Sequence, residues 1–563
     1  MNSRKSKNLI QFGLLIVVLV GINYFFSDTL LRIDLTEDKR FSVDEQTIVT
    51  LDELPGIVHI EVFLDGEMPV GYRQLAKGIK EKLQDLNSYS DGKIDVEFTN
   101  PFTVEDSLKQ GLFDFLRRSG LKSITVQKTE EGNTSSKALF PGAVLTYKGN
   151  SIAINLLKKD QVSQANQVIG TLNRTEIERS LNELEFEFVE GLKMIAIDSK
   201  KKLLFLAGHG ELEHRELKDV EKLLSSYYQL FIDRLSGMSQ EKVNDFDMIV
   251  IARPQSEYSE LDKYKLDQYL MQGGNVICFI DAVEKKMTES GVLGIPYKLN
   301  LRDLLFRYGV RLNDEIVMDL SSTLVPMDVD GNFVLVPSTY TPKIVSFNKK
   351  NKISKDLSFV KSAEFIGSLD TVTTARGVIK TPLFFTSQYA KKTGAPVTIT
   401  PHDFANPVHD KAVYTDSYLP LAYLLEGNFT SFYKNKPLPK GGEAKIRKNR
   451  SDGRGKMIIV GDGGFIANTL GADQKTMKPA GYDIFERKTY QNLTFFNNAI
   501  DYLLDNDFIS NKNMSFKARP LDQFKVKKEK EKWQVVNLVA PNLLVLVVGL
   551  IAYFIRKNKY ARF

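Results

Sequence analysis

The sequence predicts an α/β protein in which strands and helices alternate and each end carries an apolar segment. Continuous apolar runs at residues 202–207, 247–254 and 275–281 have the length and composition of buried strands. Segments with helical periodicity separate them, which is typical of a parallel sheet covered on both faces. Uncharged runs at residues 9–26 and 535–555 are long enough to cross a membrane. We therefore expect a doubly wound α/β domain in a chain with two membrane helices.

Composition excludes several classes of protein. The chain has 563 residues, of which 42% are hydrophobic and 26% charged, as in ordinary globular proteins, and this length favours two to four domains. A net charge of +6 is small for this length and gives no support for a nucleic-acid partner. Cys278 is the one cysteine, so an intramolecular disulfide and a CxxC redox motif are both excluded.

The N-terminal apolar segment predicts a membrane anchor. Eighteen helical residues at positions 9–26 would span about 27 Å, close to the thickness of a bilayer's hydrocarbon core. Arg4, Lys5 and Lys7 precede it and favour a cytoplasmic N-terminus. A cleaved signal peptide is the alternative, but the stretch is long for one and no small-residue cleavage site follows.

The C-terminal apolar segment predicts a second anchor. Residues 535–555 are uncharged, with Trp533 and Tyr553 placed as interfacial side chains would be, although a buried core helix is the alternative. Basic residues flank both sides, at 525–532 and 556–562, so local charge does not fix the orientation. Two crossings return the C-terminus to the cytoplasm. The expected location is therefore the bacterial inner membrane, with a large periplasmic region between two spans.

The first soluble segment has the element order βαβαββ. Strand patterns occur at residues 58–64, 93–98, 123–127 and 143–147, and amphipathic helices follow the first two strands. This order is similar to a thioredoxin-like domain, whose redox cysteines are absent here. A helix from residue 174 is interpreted as a connector packed on the next domain, with partner binding as the alternative.

The strand at residues 456–460 and the helix at 493–503 are expected to complete the doubly wound sheet. The N-terminal part is predicted to comprise a basic cytoplasmic segment at 1–8, a transmembrane helix at 9–27, a thioredoxin-like α/β domain at 34–160 and a connecting helix at 174–200. The doubly wound domain is predicted to begin at 201–300, to be interrupted by an insertion of mixed strands and loops at 301–455, and to be completed at 456–510. A juxtamembrane linker at 511–534, a transmembrane helix at 535–555 and a basic cytoplasmic tail at 556–563 are expected to follow.

The motif AGHGELE is the first candidate binding site. Gly208, His209, Gly210 and Glu211 follow a buried strand and precede a predicted helix, where open α/β sheets bind ligands and helix N-termini attract anions. The motif is not a dinucleotide fingerprint, because Glu213 stands at the third glycine position. The alternative is a tight strand-to-helix turn whose acidic residues complement the helix dipole.

The motif VGDGGF is the second candidate binding site. Gly461 and Asp462 follow another buried strand, and the aspartate could cap a turn or bind a ligand. Ile466 replaces the third fingerprint glycine, so a turn is the favoured interpretation.

Motifs for catalysis and for metal or nucleotide binding are missing. No GxSxG occurs, and Cys278 lies within an apolar strand, so no catalytic residue is predicted. The sequence around Gly455 and Lys456 does not form a P-loop. The loop at residues 402–410 holds two histidines and two aspartates, but a solvated loop is favoured. We predict no metal site and no cofactor.

The order of these motifs resembles the gliding-motility-associated ABC transporter auxiliary proteins. The resemblance rests on IDLTEDKRFSVDEQT at residues 33–47, HIEVFLDG at 59–66, KKLLFLAGHGELE at 201–213, QGGNVICFID at 272–281 and IIVGDGGFIAN at 458–468. It implies a multi-spanning ABC permease and a separate cytoplasmic ATPase as partners, serving surface gliding and associated protein secretion. It also implies that the central domain is similar to an amidotransferase-like α/β domain without catalytic machinery.

The sequence therefore predicts a non-enzymatic, membrane-anchored extracytoplasmic subunit of an ABC transporter complex. Ligand binding and mechanical coupling are the two modes of action left open, and a passive scaffold is a further possibility. The alternative function is an envelope hydrolase or amidotransferase-like enzyme acting on cell-wall or glycan material. Only His209 with Glu211 hints at such chemistry. The expected partners are the permease, the ATPase and the lipid bilayer, with no nucleic acid.

Overall fold

The structure is a computed structural model that describes residues 43–505 and 523–560 except 131–132, 159–171, 173, 197–198, 330–331, 364, 401, 404–409, 443–446 and 472–475. The predicted N-terminal membrane helix lies outside the described residues. The helices are α1 (Glu45–Asp52), α2 (Val70–Ser88), α3 (Asp106–Arg118), α4 (Arg174–Ala196), α5 (Lys218–Leu224), α6 (Gln240–Asn244), α7 (Glu260–Met271), α8 (Arg302–Tyr308), α9 (Asn492–Leu503) and α10 (Gln523–Tyr560).

The strands are numerous and most are short, which places the chain among mixed α/β proteins. They are β1 (Val58–Val62), β2 (Ile94–Phe98), β3 (Ile124–Glu130), β4 (Asn133–Leu139), β5 (Gly142–Tyr147), β6 (Asn150–Asn155), β7 (Lys202–Leu206), β8 (Gln229–Asp233), β9 (Met248–Ala252), β10 (Asn275–Phe279), β11 (Val283–Thr288), β12 (Gly291–Pro296), β13 (Val310–Leu312), β14 (Glu315–Asp319), β15 (Ser322–Val329), β16 (Asn332–Ile344), β17 (Ser346–Phe347), β18 (Val360–Lys361), β19 (Leu369–Thr371), β20 (Val378–Phe385), β21 (Ala390–Gly394), β22 (Val397–Ile399), β23 (Pro420–Gly427), β24 (Lys456–Val460), β25 (Thr469–Leu470), β26 (Met477–Lys478), β27 (Tyr482–Asp483) and β28 (Lys488–Thr489).

The N-terminal sheet has four strands in the order β2-β1-β5-β6. β1 and β2 run parallel, with Ile60 opposite Val96, and β5 and β6 are antiparallel to their neighbours. The strand predicted at residues 123–127 does not join this sheet. It is β3, which pairs with β4 in a separate hairpin, because residues 133–139 continue as a second strand directly after the turn.

Helix α4 packs on the N-terminal sheet, contrary to the interpretation of a connector packed on the following domain. Its apolar stripe includes Leu184, Phe188 and Leu192, which are buried together with β1 and β5 in one core. Gly191 permits this contact, because a Cβ there would lie 3.0 Å from Leu145 Cδ2. The periodicity of the segment therefore predicts a helix, but it does not predict which sheet that helix packs against.

The central sheet has eight strands in the order β17-β20-β23-β24-β10-β9-β7-β8. The five strands β24, β10, β9, β7 and β8 are parallel, and β24 does complete the sheet formed by β7 to β10. The remaining three strands are antiparallel and come from residues 301–455. That segment is thus part of the sheet as well as a source of smaller sheets.

Both faces of the central sheet are buried, which explains its continuous apolar strands. Alternate residues of β7 point to opposite faces, so Leu203 and Phe205 belong to one core while Leu204 and Leu206 belong to the other. Helix α9 covers the first face through Phe496. Because the side chains on both faces of these strands are buried in a core, the strands have no polar face, as is typical of parallel sheets covered on both sides.

Helix α10 belongs to a second unit of the chain, distinct from the unit that contains the sheets. It has 38 residues and would be about 57 Å long. Its segment Gln534–Asn558 is, among the described residues, the one helix long and apolar enough to cross a membrane. The predicted span at residues 535–555 falls inside this helix.

Candidate functional site

The carboxyl ends of the parallel strands bring the predicted site residues to one edge of the central sheet. In chain order, the five parallel strands lie as 2-1-3-4-5, so the direction of strand addition reverses between β7 and β9. Open α/β sheets bind ligands in the crevice outside such a reversal point. Residues 208–211 follow β7 and residues 253–258 follow β9, on either side of this point.

Two glycines allow the loop after β7 to pack on the loop after β9. Gly208 and Gly210 have φ angles of +110° and +78°, which side-chain-bearing residues rarely adopt. A Cβ on Gly210 would lie 2.9 Å from the Cβ of Gln255. Between the glycines, the carbonyl of His209 accepts hydrogen bonds from the backbone N–H groups of Gln255 and Ser256 at 2.7 and 2.9 Å. The loop is therefore held by its backbone.

The side chain of His209 lies between two carboxylates. Its Nδ1 is 3.3 Å from Glu211 Oε1, and its Nε2 is 3.6 Å from Asp262 Oδ2. The ring stacks on Tyr258 at a centroid distance of 3.8 Å. The Tyr258 hydroxyl donates to the Glu211 carboxylate at 2.5 Å, and the backbone N–H of His209 donates to the same carboxylate at 2.6 Å. Ser259 donates to Asp262 at 2.8 Å and caps α7, which fixes this carboxylate.

These contacts set the charges of the cluster, which we call the His209 cluster: His209, Glu211, Tyr258 and Asp262. Burial alone would lower the pKa of His209, but hydrogen bonds and ion pairs with Asp262 and Glu211 outweigh it and raise this pKa to about 9. Burial acts to raise the pKa of Glu211, and the bonds from His209 and Tyr258 reverse this and lower it. The cluster thus holds an imidazolium between two carboxylates at neutral pH.

The AGHGELE motif does not form the start of a helix. The chain continues past Glu211 in extended form, with the Leu212 N–H donating to Ala252, and α5 begins only at Lys218. The helix start expected directly after residues 208–211 is therefore wrong, whereas ligand binding by these residues stays a prediction. The alternative, a tight turn after the strand, agrees with the positive φ angles of Gly208 and Gly210, but the carboxylate of Glu211 bonds to His209 and Tyr258 and does not complement a helix dipole.

Gly461 and Asp462 lie in a turn after β24. A Cβ on Gly461 would lie 2.2 Å from the carbonyl oxygen of Gly367, so only glycine fits there. The Asp462 carboxylate accepts backbone N–H groups of Ala363 and Gly464 at 2.7 and 3.1 Å. Burial and the nearby charge of Asp281 raise the pKa of Asp462 to about 7.

The two predicted groups are not brought into contact. β10 and β9 separate β24 from β7, so the two loops start about 14 Å apart along the sheet. Sequence reasoning missed three neighbours at this edge, namely Arg253, Asp281 and Asp262. Arg253 directly follows β9 and Asp281 lies two residues after β10. Both positions are equivalent to those of the recognised motifs, so the same signal could have identified these residues. Asp262 joins from α7 and had no such signal.

Metal ligands do not converge in the described part of the chain, where no group of three or more His, Cys, Asp or Glu side chains could hold a metal ion. His59 and His214 each pair with a nearby carboxylate, Asp95 at 2.9 Å and Glu221 at 2.5 Å respectively. Of the loop proposed as a weak metal candidate, His402 is described and His409 lies outside the described residues.

A spacious groove lies elsewhere in the described part of the chain. It lies between α8, β13 and the segment at residues 432–436, and none of the predicted site residues lines it. The residues around it come from three separate parts of the chain, so no compact motif marks the groove in the sequence.

Comparison with known proteins shows which family the central region of the chain matches. Residues 200–499, more than half of the chain, match the family described as an ABC-type uncharacterized transport system. The chain belongs to this family. Residues 37–146 match a family described only as a domain of unknown function. Membership of the transport family supports a role in an ABC transport system as an auxiliary component that works with other transporter subunits.

An uncharacterized protein of Borreliella burgdorferi is 20% identical over 567 aligned positions, covering 98% of each chain. This ABC-transport family member is therefore similar to that relative along its whole length. Among solved structures, the mmIFT52 N-terminal domain aligns with 55% of the chain and 99% of its own length at 14% identity. Its TM-score of 0.33 is too low to support a structural argument.

Proposed function

We propose that the chain is a non-enzymatic auxiliary subunit of an ABC transporter complex, held at the membrane and acting by ligand binding or mechanical coupling. The observation that carries this proposal is the family match across residues 200–499, which spans the whole central sheet. The apolar helix segment Gln534–Asn558 supports membrane attachment.

The state of the His209 cluster supports a non-enzymatic role. A general base must be able to accept a proton, whereas a histidine with a pKa of about 9 already carries one at neutral pH. Glu211 is nearly fully buried and accepts three hydrogen bonds from His209 and Tyr258. Cys278 is buried within β10, and burial raises its pKa well above the usual value, which disfavours a nucleophilic thiolate.

The finer proposal is that the chain corresponds to the component called GldG in gliding-motility transporters. In that arrangement one anchor at each end places both termini in the cytoplasm and the large region in the periplasm of a bacterial inner-membrane protein. A multi-spanning permease and a separate ATPase would be its partners, in surface gliding and associated secretion. The strand order β2-β1-β5-β6 supports a thioredoxin-like N-terminal domain. The order 2-1-3-4-5 of the parallel strands is compatible with an amidotransferase-like central domain.

Co-purification tests this proposal. The tagged full chain, extracted from its native membrane in mild detergent, is expected to carry a multi-spanning ABC permease and an ABC ATPase at fixed stoichiometry, as measured by mass spectrometry. A tagged, unrelated inner-membrane protein expressed at the same level is the control for chance capture. Recovery of the chain without either transporter subunit, under conditions that preserve other complexes, would contradict the assignment.

A further inference from the structure

A groove of roughly 840 Å³ lies between α8, β13 and the segment at residues 432–436. This volume is within the range of sites that hold small molecules. Five cationic side chains line it, those of Arg302, Arg307, Arg311, Lys434 and Lys436, against two carboxylates, so positive charge is in excess.

Both carboxylates of the groove are already neutralised. Asp314 pairs with Arg302 at 2.5 Å. Asp303 pairs at 2.6 Å with Lys263, whose side chain is only 1% exposed. The negative charges of the groove therefore do not compensate its remaining cations.

Four cations in the groove form no ion pair with a described residue. Asp370 lies opposite Arg311 in the pairing of β13 with β19, and Lys436 helps to lower the pKa of Glu260, but neither carboxylate is in ion-pair contact. Arg307, Arg311, Lys434 and Lys436 are exposed. No carboxylate of a described residue is recorded within 4 Å of their charged ends. Like charges gathered in a concave surface with low-dielectric walls strengthen the local field and concentrate anions. The groove is thus a positively charged depression whose charges remain available to a ligand.

The walls of the groove are fixed in place by a buried carboxylate. Asp267 of α7 is fully buried and accepts hydrogen bonds from Tyr308 at the end of α8, from the Ser431 hydroxyl and from the Phe432 N–H, at 2.8, 2.6 and 2.7 Å. One side chain therefore joins α8 to the segment that carries Lys434 and Lys436.

A second side chain holds the segment that carries the two lysines. The guanidinium of Arg447 donates to the carbonyl oxygens of Tyr433, Lys434 and Lys436, the last two at 3.0 and 3.1 Å. The backbone beneath both lysines is thus fixed before any ligand arrives. A preorganised site loses less conformational entropy on binding than a flexible one.

The chemistry of the lining selects the kind of ligand. Arginine guanidinium groups recognise phosphate and carboxylate oxygens in bidentate geometry, and lysines add point charges. The ring of Phe432 is not free to stack on a ligand, because Lys436 Nζ lies 3.3 Å and Lys263 Nζ 4.3 Å from its centroid. We propose that this groove binds a small molecule carrying two or more phosphate or carboxylate groups. This assignment does not depend on the transporter role.

Calorimetric titration of the full chain in a non-ionic detergent tests the proposal, with inorganic pyrophosphate and citrate as probes. The groove variant R307Q/R311Q/K434Q/K436Q is expected to bind the better probe at least roughly 30-fold more weakly. The matched control is R73Q/R117Q/K350Q/K352Q, whose four residues are exposed and lie outside the groove. Both variants remove four positive charges from a net charge of +6, so non-specific attraction changes equally. The control is expected to bind within about twofold of the unchanged chain.

Three outcomes would overturn the proposal. Neither probe binds the unchanged chain, or both variants lose affinity equally, or polyglutamate binds in a groove-dependent way while pyrophosphate and citrate do not. The last result would make the groove a polypeptide-docking surface. Because the four groove side chains are exposed, the unfolding midpoint of the groove variant should stay within about 2 °C of the unchanged chain, which separates lost binding from lost folding.

Discussion

The His209 cluster and the cationic groove use charged side chains in opposite ways. In the cluster, one imidazolium lies between Glu211 and Asp262, and its ring is 13% exposed. In the groove, four exposed cations form no ion pair within 4 Å with a described carboxylate. Paired and buried charges hold segments of the chain together, whereas unpaired exposed charges are available to a partner. Pairing and burial therefore separate the parts that stabilise this protein from the parts suited to bind.

The largest expected effect on stability comes from removing the carboxylate of Asp267. This side chain lies behind the groove but, like Glu211 in the His209 cluster, is buried and accepts several hydrogen bonds. Asp267→Ala leaves the Tyr308 hydroxyl, the Ser431 hydroxyl and the Phe432 N–H without their acceptor. We expect a loss of about 3–5 kcal/mol in the free energy of unfolding, measured by denaturant titration of the full chain in detergent. Asp65→Ala, at an exposed position, is the control and should change it by less than about 0.5 kcal/mol. A cost below about 1 kcal/mol for Asp267→Ala would show that the walls of the groove are held by other contacts.

An intermediate effect is expected from Glu211→Gln, which removes one of the two charges that face His209. The pKa of His209 should fall from about 9 towards its ordinary value of 6.5. A raised histidine pKa stabilises the fold fully below pH 6.5, and this stabilisation is lost as the pH rises through 9. The unchanged chain should therefore lose stability between pH 6.5 and 9.5, and the variant should lose less. At pH 6.5 the variant should be roughly 2 kcal/mol less stable, after allowance for solvent screening.

The control for Glu211→Gln is Glu221→Gln, which changes the partner of His214. That histidine is 82% exposed, so its pair should contribute little. Equal pH dependence in the two variants would contradict the difference drawn between buried and exposed pairs. Chemical denaturation at pH 6.5 and at pH 9.5 measures the stability of both variants.

The smallest effect is expected from Asp462→Asn, and it is a gain. Burial raises the pKa of Asp462 to about 7, so its charged form opposes folding as the pH rises from about 4 to 7. The asparagine variant should be about 1 kcal/mol more stable at pH 8. The gain should be smaller at pH 5, where the aspartate is protonated in the folded chain but still ionised in the unfolded one. Thermal unfolding at both pH values measures this, with Asp65→Asn as the exposed control. A loss of stability at both pH values would contradict this prediction, and would show that an amide cannot replace the carboxyl group as the acceptor of the N–H groups of Ala363 and Gly464.

The parallel strands of the central sheet could be predicted because each is a short, continuous apolar run. Strands β7, β9, β10 and β24 lie within or at the predicted segments. The antiparallel strands β20 and β23 could not be predicted in the same way. They carry polar residues such as Lys380 and Glu426, and their place in the sheet depends on pairing with each other and with β24. Such pairing is set by tertiary contacts that local periodicity does not reveal.

The position of the candidate site at the strand ends could be predicted, but the hydrogen bonds between its residues could not. Glu211 and Tyr258 are 47 residues apart in sequence, and the hydrogen bond between them depends on β7 and β9 being neighbours. The groove is harder still to foresee. Its cations lie at residues 302–311 and 434–436, and long-range contacts bring these segments together, among them the hydrogen bonds that Tyr308 and Ser431 donate to Asp267.

The position of β24 has a consequence for biosynthesis. β24 lies directly beside β10, although Lys456 and Asn275, which are hydrogen-bonded where the two strands begin, are 181 residues apart. At ordinary translation speeds of about 5–20 residues per second, the free edge of β10 waits roughly 10–35 s for its neighbour to be synthesised. An apolar strand with an unpaired edge is prone to wrong pairing during that interval. The nascent chain is thus most vulnerable between the emergence of β10 and that of β24, and protection in that interval would depend on a chaperone or on early folding of residues 301–455.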